Sequence, residues 1–280
     1  MAGNGTLYVV ATPIGNLRDI TLRALDVLKT ADIIAAEDTR NTSHLLSHYG
    51  LSAKLVSLHE HNELAASPKL IAALQAGKKI ALVSDAGTPG ISDPGAILVK
   101  AVRAAGLPAV PLPGPSAVIC ALSAAGMEAA PHFLFYGFLP AKPANRRKAL
   151  APLQSLPYTL AFYEAPHRIL ETVADLLAVL GGEREITLAR ELTKLFENIH
   201  TCKLADAQTW LEGDANRQRG EFVVLVSGAP PSEEADISEE VQRMLKCLLS
   251  ELPLKQAVKL AAEISGKKKN ALYELALQLK

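Results

Sequence analysis

The chain of 280 residues has no uninterrupted run of about 18 apolar residues, the length that a membrane-spanning helix needs. Its amino-terminal residues also lack a basic segment followed by a long apolar core, which is the pattern of a secretion signal. We therefore expect a protein that neither spans a membrane nor is exported.

Cysteine is scarce, and the three cysteines, Cys120, Cys202 and Cys247, lie far apart without a Cys-x-x-Cys pair. This spacing argues against a disulfide framework and against a structural zinc site. The pattern is typical of a protein in the reducing cytoplasm, which is the location that we expect.

The chain also has no net charge, because its 29 basic residues balance its 29 acidic residues. A binding site for a polyanion must therefore be a local patch and not a property of the whole chain. With 49% hydrophobic residues, the chain has enough apolar material for two compact cores. The composition fits a globular α/β protein and neither supports nor excludes nucleic acid as a partner.

Short apolar runs alternate with helical patterns over the first half of the chain, which predicts a mostly parallel sheet. The predicted strands are Leu7–Ala11, Ile33–Ala36, Leu55–Leu58, Ile80–Ser84 and Ala109–Leu112. The predicted helices are Thr21–Lys29, Thr42–His48, Pro68–Ala76 and Ala96–Ala105. This pattern defines a first α/β domain over residues 1–126.

A second α/β domain is predicted over residues 127–229, with some antiparallel pairing because its last strands are close together in sequence. Its predicted strands are Phe133–Tyr136, Leu160–Tyr163, Ile186–Ala189, Asn198–Lys203 and Phe222–Val226, and its predicted helices are Ala144–Leu153, Pro166–Leu180 and Leu204–Glu212. After a linker at 228–236, residues 237–280 show helical patterns only. We expect a small helical extension there, with the outline of a helix-turn-helix.

Loops rich in glycine and proline follow three of the predicted strands, at residues 12–16, 85–95 and 113–117. The carboxyl ends of parallel strands share one edge of a sheet, and glycine there lets the backbone approach a ligand closely. The three loops together therefore predict one ligand pocket. Asp85 and Asp93, with no lysine beside them, suit a ligand with hydroxyl groups or positive charge better than a triphosphate.

Polar clusters follow two further strands, at Glu37–Asn41 and at His59–Glu63. Two imidazoles at i and i+2, with no third ligand at a recognisable spacing, favour a site without a metal. Glu63 and His61 are better candidates for a general base. Charged residues also follow apolar strands in the segments 162–168 and 189–194, which makes them candidates for the same kind of site in the second domain. The alternative interpretation of these segments is ion pairing between the two domains.

Two basic segments, Arg146–Lys148 and Lys267–Lys269, are candidates for contact with phosphate groups. The first forms a compact loop, which could instead be the solvated start of a helix. The second precedes an apolar helical stripe, and its alternative interpretation is a solvated face of a packing helix.

Ten short motifs occur in order along nearly the whole chain. Five lie in the first domain: Thr12-Pro-Ile-Gly-Asn16, Ala36-Glu-Asp-Thr-Arg40, His59-Glu-His-Asn-Glu63, Ser84-Asp-Ala-Gly-Thr-Pro89 and Pro113-Gly-Pro-Ser-Ala117. Five follow it: Gly137-Phe-Leu-Pro140, Phe162-Tyr-Glu-Ala-Pro-His-Arg168, Ala189-Arg-Glu-Leu-Thr-Lys194, Arg219-Gly-Glu-Phe-Val223 and Lys268-Lys-Asn-Ala-Leu-Tyr273. Together they closely resemble the bacterial small-subunit ribosomal RNA cytidine 2′-O-methyltransferases, a family within the tetrapyrrole methylase superfamily.

The resemblance implies two α/β domains of tetrapyrrole methylase type with S-adenosyl-L-methionine in the cleft between them, a homodimer, and a C-terminal helical extension that binds RNA. The implied activity is 2′-O-methylation of a cytidine ribose in the decoding region of 16S ribosomal RNA, within the small ribosomal subunit. The cofactor residues that it implies are Pro13, Ile14, Gly15, Asp85, Ala86, Gly87, Thr88, Pro113, Ser116, Ala117, Tyr163, Glu164, Gly220, Glu221 and Phe222. The residues expected at RNA are Arg40, Arg146, Arg147, Lys148, Lys267, Lys268 and Lys269.

The implied chemistry needs positioning and a proton acceptor. A sulfonium methyl group needs no acid to activate it, so its alignment with the attacking oxygen supplies much of the rate. A ribose 2′-hydroxyl must lose its proton, which requires a base or a strong hydrogen-bond acceptor nearby. Glu63, His61 and Glu191 are the candidates, and the sequence does not choose among them.

Three alternative functions stay open. A methylase of the same superfamily acting on a tetrapyrrole or on diphthine would share the cofactor loops, but it would not need a basic helical tail. A non-catalytic RNA-binding protein would explain the tail and the basic loop without any cofactor. A nicotinamide oxidoreductase is disfavoured, because no Gly-x-Gly-x-x-Gly follows the first strand.

Overall fold

The structure is a computed structural model that describes residues 5–127, 132–230 and 239–279. The chain forms two compact units, Met1–Gly228 and Ala229–Lys280. Residues 231–236 of the predicted linker and the predicted start of the helical extension at 237 lie outside the described residues. In the described residues, no helix is both long enough and apolar enough to cross a membrane.

The first half of the larger unit is built on a five-stranded sheet. Its strands are β1 Leu7–Val10, β2 Ile33–Ala36, β3 Leu55–Ser57, β4 Ile80–Val83 and β5 Ala109–Leu112. They pair in the order β3-β2-β4-β1-β5, and every pair is parallel. Strands β2 and β4 are apolar and buried throughout, as expected for a parallel sheet that is covered on both faces. The predicted parallel sheet is confirmed.

The helices of this half are α1 Leu22–Thr30, α2 Thr39–His48, α3 Glu63–Gln75, α4 Ala96–Ala104 and α5 Ala117–Ala124. The predicted start of α3 at Pro68 is wrong, because the helix begins at Glu63 and contains Pro68. The Ser67 hydroxyl donates to the carbonyl oxygen of Glu63 at 2.7 Å beside this proline. Glu63 is therefore the first helical residue and not part of a free loop.

The second half of the larger unit has a mixed sheet. Its strands are β6 Phe133–Phe138, β7 Thr159–Glu164, β8 Glu185–Arg190, β9 Asn198–Lys203 and β10 Phe222–Val226, and its α-helices are α6 Pro143–Leu150, α7 Ile169–Leu180 and α8 Leu204–Glu212. The strand order is β6-β7-β10-β8-β9, in which only the β6–β7 pair is parallel. The expected antiparallel pairing is confirmed.

Helix α5 connects the two sheets physically. Its residues Val118 and Ala121 pack against Ala161, Val223 and Leu225 on one face of the second sheet. Because α5 begins directly after the loop that follows β5, the carboxyl edge of the first sheet faces the second sheet. The fold thereby places a cleft between them.

The smaller unit contains α9 Glu239–Glu251, α10 Leu254–Ser265 and α11 Lys269–Gln278. Its core consists of Leu245, Val258, Ala261, Leu272 and Ala276. Helix α10 is followed by Gly266, whose φ of 66° is the left-handed conformation that glycine adopts most easily at the end of a helix. A helix, a glycine turn and a second helix starting at Lys269 form the outline predicted for this segment.

The structure contradicts the prediction that Arg146 contacts RNA. Its side chain is fully buried, and its Nε donates to Asp175 Oδ2 at 2.6 Å. It also pairs with Glu171 at 3.3 Å. A guanidinium enclosed in this way cannot reach a phosphate, whereas Arg147 and Lys148 on the same helix are exposed.

We predict that Arg146→Ala lowers the free energy of unfolding by about 3–5 kcal/mol, because it leaves the carboxylate of Asp175 buried without its main partner. Lys148→Ala is the matched control on the exposed side of α6, and it should change stability by about 0.5 kcal/mol or less. Urea denaturation followed by circular dichroism measures both. Equal stability of the two variants would contradict the structural role of Arg146.

Candidate functional site

Three loops at the carboxyl edge of the first sheet are hydrogen-bonded into one surface. Thr12, two residues after the end of β1, exchanges backbone hydrogen bonds of 2.9 and 3.0 Å with Gly87. The Thr88 hydroxyl donates to the Pro115 carbonyl at 2.9 Å and so connects the loop after β4 to the loop after β5. Gly87 has a φ of 82°, which a residue with a side chain would rarely adopt.

Acidic side chains line the same edge next to these loops. The Asp85 carboxylate accepts hydrogen bonds from the Asp38 backbone N–H at 3.0 Å and from the Asn41 amide at 2.8 Å. Glu37 accepts from the Asp85 backbone N–H at 3.2 Å. The predicted RNA contact Arg40 is exposed and pairs with Asp38, and this hydrogen-bonded pair lowers the pKa of Asp38 to about 2.

A tight turn carries Asp93 into the cleft. The Gly90 N–H donates to the Pro94 carbonyl at 3.2 Å, and Ser92 has a φ of 64°. Burial and, to a lesser degree, the nearby carboxylates of Glu37 and Asp85 together raise the pKa of Asp93 to about 6. A non-glycine residue in the left-handed region is a strained conformation that often accompanies function.

The second sheet contributes an ion-paired cluster on the opposite wall. Glu191 accepts hydrogen bonds from the Glu221 backbone N–H and from Lys194, both at 2.9 Å. Lys194 also donates to the Glu221 carboxylate at 2.8 Å. Burial acts to raise the pKa of Glu191, but these hydrogen bonds outweigh it and the pKa lies below its usual value. Gly220, with a φ of 86°, leaves the space that the Glu191 side chain fills.

Direct contacts join the two walls of the cleft. The Asn16 backbone N–H donates to the Thr193 hydroxyl at 3.0 Å, and a Cβ on Gly15 would lie 2.5 Å from the Lys194 side chain. The Val118 N–H donates to the Tyr163 hydroxyl at 3.3 Å. Burial raises the pKa of Tyr163, which therefore stays protonated at neutral pH.

A cavity of about 460 Å³ lies between the walls, a size that suits a small cofactor. Among the residues predicted at the cofactor, those that line it are Ile14, Ala86, Gly87, Thr88, Ser116, Ala117, Tyr163, Glu164, Glu221 and Phe222. An adjoining cavity of about 370 Å³ shares Ile14, Ala86, Lys194 and Glu221 with it. Pro13, Gly15 and Asp85 line this second cavity, whereas Pro113 and Gly220 line neither.

The predicted general bases line neither cavity of the cleft. Glu63 is buried, and its Oε1 accepts the Leu98 backbone N–H at 2.8 Å, so it holds the first turn of α4. We therefore correct its assignment from base to structural residue. His61 is exposed, and its ring centroid lies 6.0 Å from that of His59. No group of three His, Cys, Asp or Glu side chains among the described residues could hold a metal ion.

Several residues that line the cavity are not among those expected at the cofactor. Asp93 is one of them, although the sequence marks it, with Asp85, as suited to a ligand with hydroxyl groups or positive charge. Ala189, Leu192 and Val223 are apolar wall residues on the second sheet. Their periodicity marks them as core residues only, because alternation along a strand does not separate a cavity wall from a packed interior.

Two family models match the chain. The model of Tetrapyrrole (Corrin/Porphyrin) Methylases matches residues 6–208, and the model of the RsmI C-terminal HTH domain matches residues 235–280. The first match covers well over half of the chain and includes the whole first sheet and strands β6 to β9 of the second. The chain therefore belongs to the tetrapyrrole methylase family.

Full-length relatives narrow this assignment. Ribosomal RNA small subunit methyltransferase I of Pseudomonas aeruginosa is 55% identical over 276 residues, covering 98% of this chain and 97% of the relative. The protein of the same name from Escherichia coli O157:H7 is 54% identical, covering 98% of this chain and 95% of the relative. Among the tetrapyrrole methylases, the chain belongs to the family of ribosomal RNA small subunit methyltransferase I.

Solved structures show the same fold at lower identity. The methyltransferase CobJ has a TM-score of 0.60 and 23% identity, covering 80% of this chain and 95% of its own. Uroporphyrin-III C-methyltransferase from Thermus thermophilus, complexed with S-adenyl homocysteine, has a TM-score of 0.55 and 18% identity, covering 79% of this chain and 97% of its own. The predicted fold, two α/β domains of tetrapyrrole methylase type with a helical extension, is confirmed.

We predict that Glu63→Ala lowers the free energy of unfolding by about 1–3 kcal/mol, because the buried Leu98 N–H loses its acceptor. Glu63→Gln should cost less, since its amide oxygen can still accept that hydrogen bond. Thermal or urea unfolding measures both variants. If Glu63→Ala kept its stability and lost only catalytic activity, Glu63 would return as the candidate base.

Proposed function

We propose that the chain is an S-adenosyl-L-methionine-dependent methyltransferase that methylates the ribose 2′-hydroxyl of a cytidine in the decoding region of 16S ribosomal RNA. The main structural support for this proposal is the cavity where the three strand-end loops meet the second sheet. Membership of the ribosomal RNA small subunit methyltransferase I family supports the substrate class. The specific cytidine and its 2′-oxygen rest on the motif resemblance.

The residues around the cavity fit S-adenosylmethionine in size and in chemistry. The apolar side chains of Ile14 and Phe222 suit the adenine ring. Asp93 offers a carboxylate to a cofactor that carries positive charge. When bound there, the cofactor supplies a methyl group that needs no acid to activate it.

The protein then has to align the acceptor and take up its proton. The hydrogen bonds between Thr12 and Gly87 and between Asn16 and Thr193 fix the walls against which both substrates align. Glu191 is held by Lys194 and its pKa is lowered, so it is a weak proton acceptor. Of the three predicted bases, His61 stays a candidate. Because it lines neither cavity, RNA binding would have to bring the ribose hydroxyl and His61 together.

The adjoining cavity is the proposed entrance of the target nucleotide. Asn41, Thr42 and His44 line it with hydrogen-bonding groups, and it shares a wall with the cofactor cavity. A nucleotide turned out of its RNA helix would bring its ribose to that wall while the remaining RNA stays outside.

RNA outside the cleft is the proposed partner of the basic residues. Arg147 and Lys148 are exposed on α6, and Lys268 and Lys269 are exposed at the start of α11. Lysines at a helix amino terminus combine side-chain charge with free backbone N–H groups, which suits phosphate. Lys267, in the preceding turn, is half-buried.

We also propose that the protein acts as a homodimer in the cytoplasm. The motif resemblance supports the dimer, and large exposed apolar side chains agree with it. Leu195 and Phe196, at the tip of the loop after β8, are 89% and 68% exposed. Sedimentation that showed only monomer at micromolar concentration would remove this proposal.

The experiment that tests the function offers three acceptors in parallel together with methyl-labelled cofactor. They are naked 16S RNA, small subunits that lack the modification, and uroporphyrinogen. We expect label on RNA, and we expect it in a dinucleotide that resists alkaline hydrolysis, because a methylated 2′-oxygen cannot attack the adjacent phosphate. Label on uroporphyrinogen would instead favour a tetrapyrrole methylase. RNA binding without any methyl transfer would favour the non-catalytic alternative.

We predict that replacing Lys267, Lys268 and Lys269 by glutamine weakens RNA binding and reduces the slope of log K against log salt by about two to three. Affinity for the cofactor should not change. Lys259→Gln on α10, also exposed, is the matched control for a general loss of positive charge. An unchanged salt slope in the triple variant would leave these lysines as a solvated helix face.

A further inference from the structure

We propose that Asp93 is the counter-ion for the positive charge of the bound cofactor. This role rests on the proposed function, because it assumes that the cavity between the sheets takes S-adenosylmethionine. It adds a residue that recognises positive charge on the cofactor.

The loop that carries Asp93 has a fixed geometry. The Gly90–Pro94 hydrogen bond closes the turn, and Ser92 adopts a left-handed φ. Gly95 ends the loop with a φ of 131°, and a Cβ there would lie 2.9 Å from the Leu82 side chain. The β6 residue Gly137 leaves room for Ser92 on the other side, since a Cβ would lie 3.0 Å from its hydroxyl. These constraints hold Asp93 at the cavity wall.

The other acidic residues of this cavity already have partners. Glu164 accepts hydrogen bonds from the Thr172 hydroxyl at 2.6 Å and from the Ala165 N–H at 2.8 Å, and it pairs with Arg168 at 3.2 Å. Glu221 pairs with Lys194. Asp93 has no ion pair with any described residue, so it is the cavity carboxylate that is available to a cationic ligand.

The groups that face Asp93 are themselves acidic or neutral. Glu37 and Asp85 lie on the first-sheet side, and Tyr163 faces it from β7. The Ser84 hydroxyl is a neighbouring hydrogen-bond donor that partly offsets their effect. Burial, followed by Glu37 and Asp85, raises the pKa of Asp93 to about 6. A bound cation would lower this pKa again, because it favours the carboxylate.

The titration of Asp93 should make cofactor affinity depend on pH. Above about pH 6 the carboxylate is already ionised, so cofactor binding does not depend on its titration. Below that pH Asp93 carries a proton in the free protein, and this proton must leave when the cation binds. Affinity for the cation should therefore fall as the pH drops through 6, and binding should release a proton there.

The test is isothermal titration calorimetry on the full chain with three ligands at pH 7.5. S-adenosylmethionine carries a sulfonium and an ammonium group, S-adenosylhomocysteine keeps the ammonium, and 5′-methylthioadenosine has neither. Asp93→Asn should weaken S-adenosylmethionine binding by about tenfold or more and leave 5′-methylthioadenosine unchanged. Unchanged S-adenosylhomocysteine affinity would identify the sulfonium as the partner, and an equal loss would identify the ammonium.

Titration at pH 5.5 in buffers of different ionisation enthalpy gives a second readout. The parent protein should release most of one proton on binding S-adenosylmethionine, and Asp93→Asn should release none. Glu37→Gln is the matched control, because it removes a neighbouring negative charge and keeps a hydrogen-bond acceptor for the Asp85 N–H. It should lower the pH at which the proton is released and leave the affinity at pH 7.5 within about threefold of the parent.

Several results would overturn the proposal. If the affinity of Asp93→Asn for S-adenosylmethionine stayed within about twofold of the parent's, Asp93 would not be the counter-ion. If that variant also lost single-turnover methyl transfer, Asp93 would act in the chemical step instead. An equal loss of 5′-methylthioadenosine binding would indicate a collapsed loop. A parent protein that bound none of the three ligands would overturn the proposed function as well, so the two failures are distinguishable.

Discussion

The cleft depends on the pair of backbone hydrogen bonds between Thr12 and Gly87. Parallel pairing brings five strand ends to one edge, but it leaves the loops beyond them free to diverge. The Thr12–Gly87 bridge holds two of these loops together, and Thr88 ties the third loop to them through Pro115. This surface can then meet the second sheet at Asn16 and Thr193, and the cavity lies where the two meet.

The sequence predicts this framework because the relevant signals are local. Apolar runs such as Ile33–Ala36 and Ile80–Val83 identify buried parallel strands, and the glycines and prolines after them identify the ligand loops. Of the fifteen residues that the motif resemblance implies at the cofactor, ten line the main cavity, and Pro13, Gly15 and Asp85 line the adjoining one. Local pattern alone predicts the three loops of the first sheet, since topology fixes the position of a residue at a strand end in a parallel sheet. Tyr163, Glu164 and Phe222 of the second sheet, in contrast, were expected only from the resemblance.

Prediction fails where a residue's role depends on a partner that is distant in sequence. Arg146 looks like a phosphate ligand within its basic segment, but Asp175 on α7 encloses it. Glu63 looks like a strand-end base, but the Leu98 N–H engages it from inside the core. No composition or periodicity reveals such a partner. The raised pKa of Asp93 could not be predicted either, because it arises mainly from burial and then from the carboxylates of Glu37 and Asp85, which the fold brings close to it.

The central claim is that the cofactor binds where the strand-end loops of the first sheet meet the second sheet. Diffraction from crystals of the full chain grown with S-adenosylhomocysteine tests it most directly. The account predicts ligand density in the cleft cavity, in contact with Ile14, Thr88 and Phe222. Density in the separate cavity beside Asn62 and Lys69 of the first half, with an empty cleft, would contradict it.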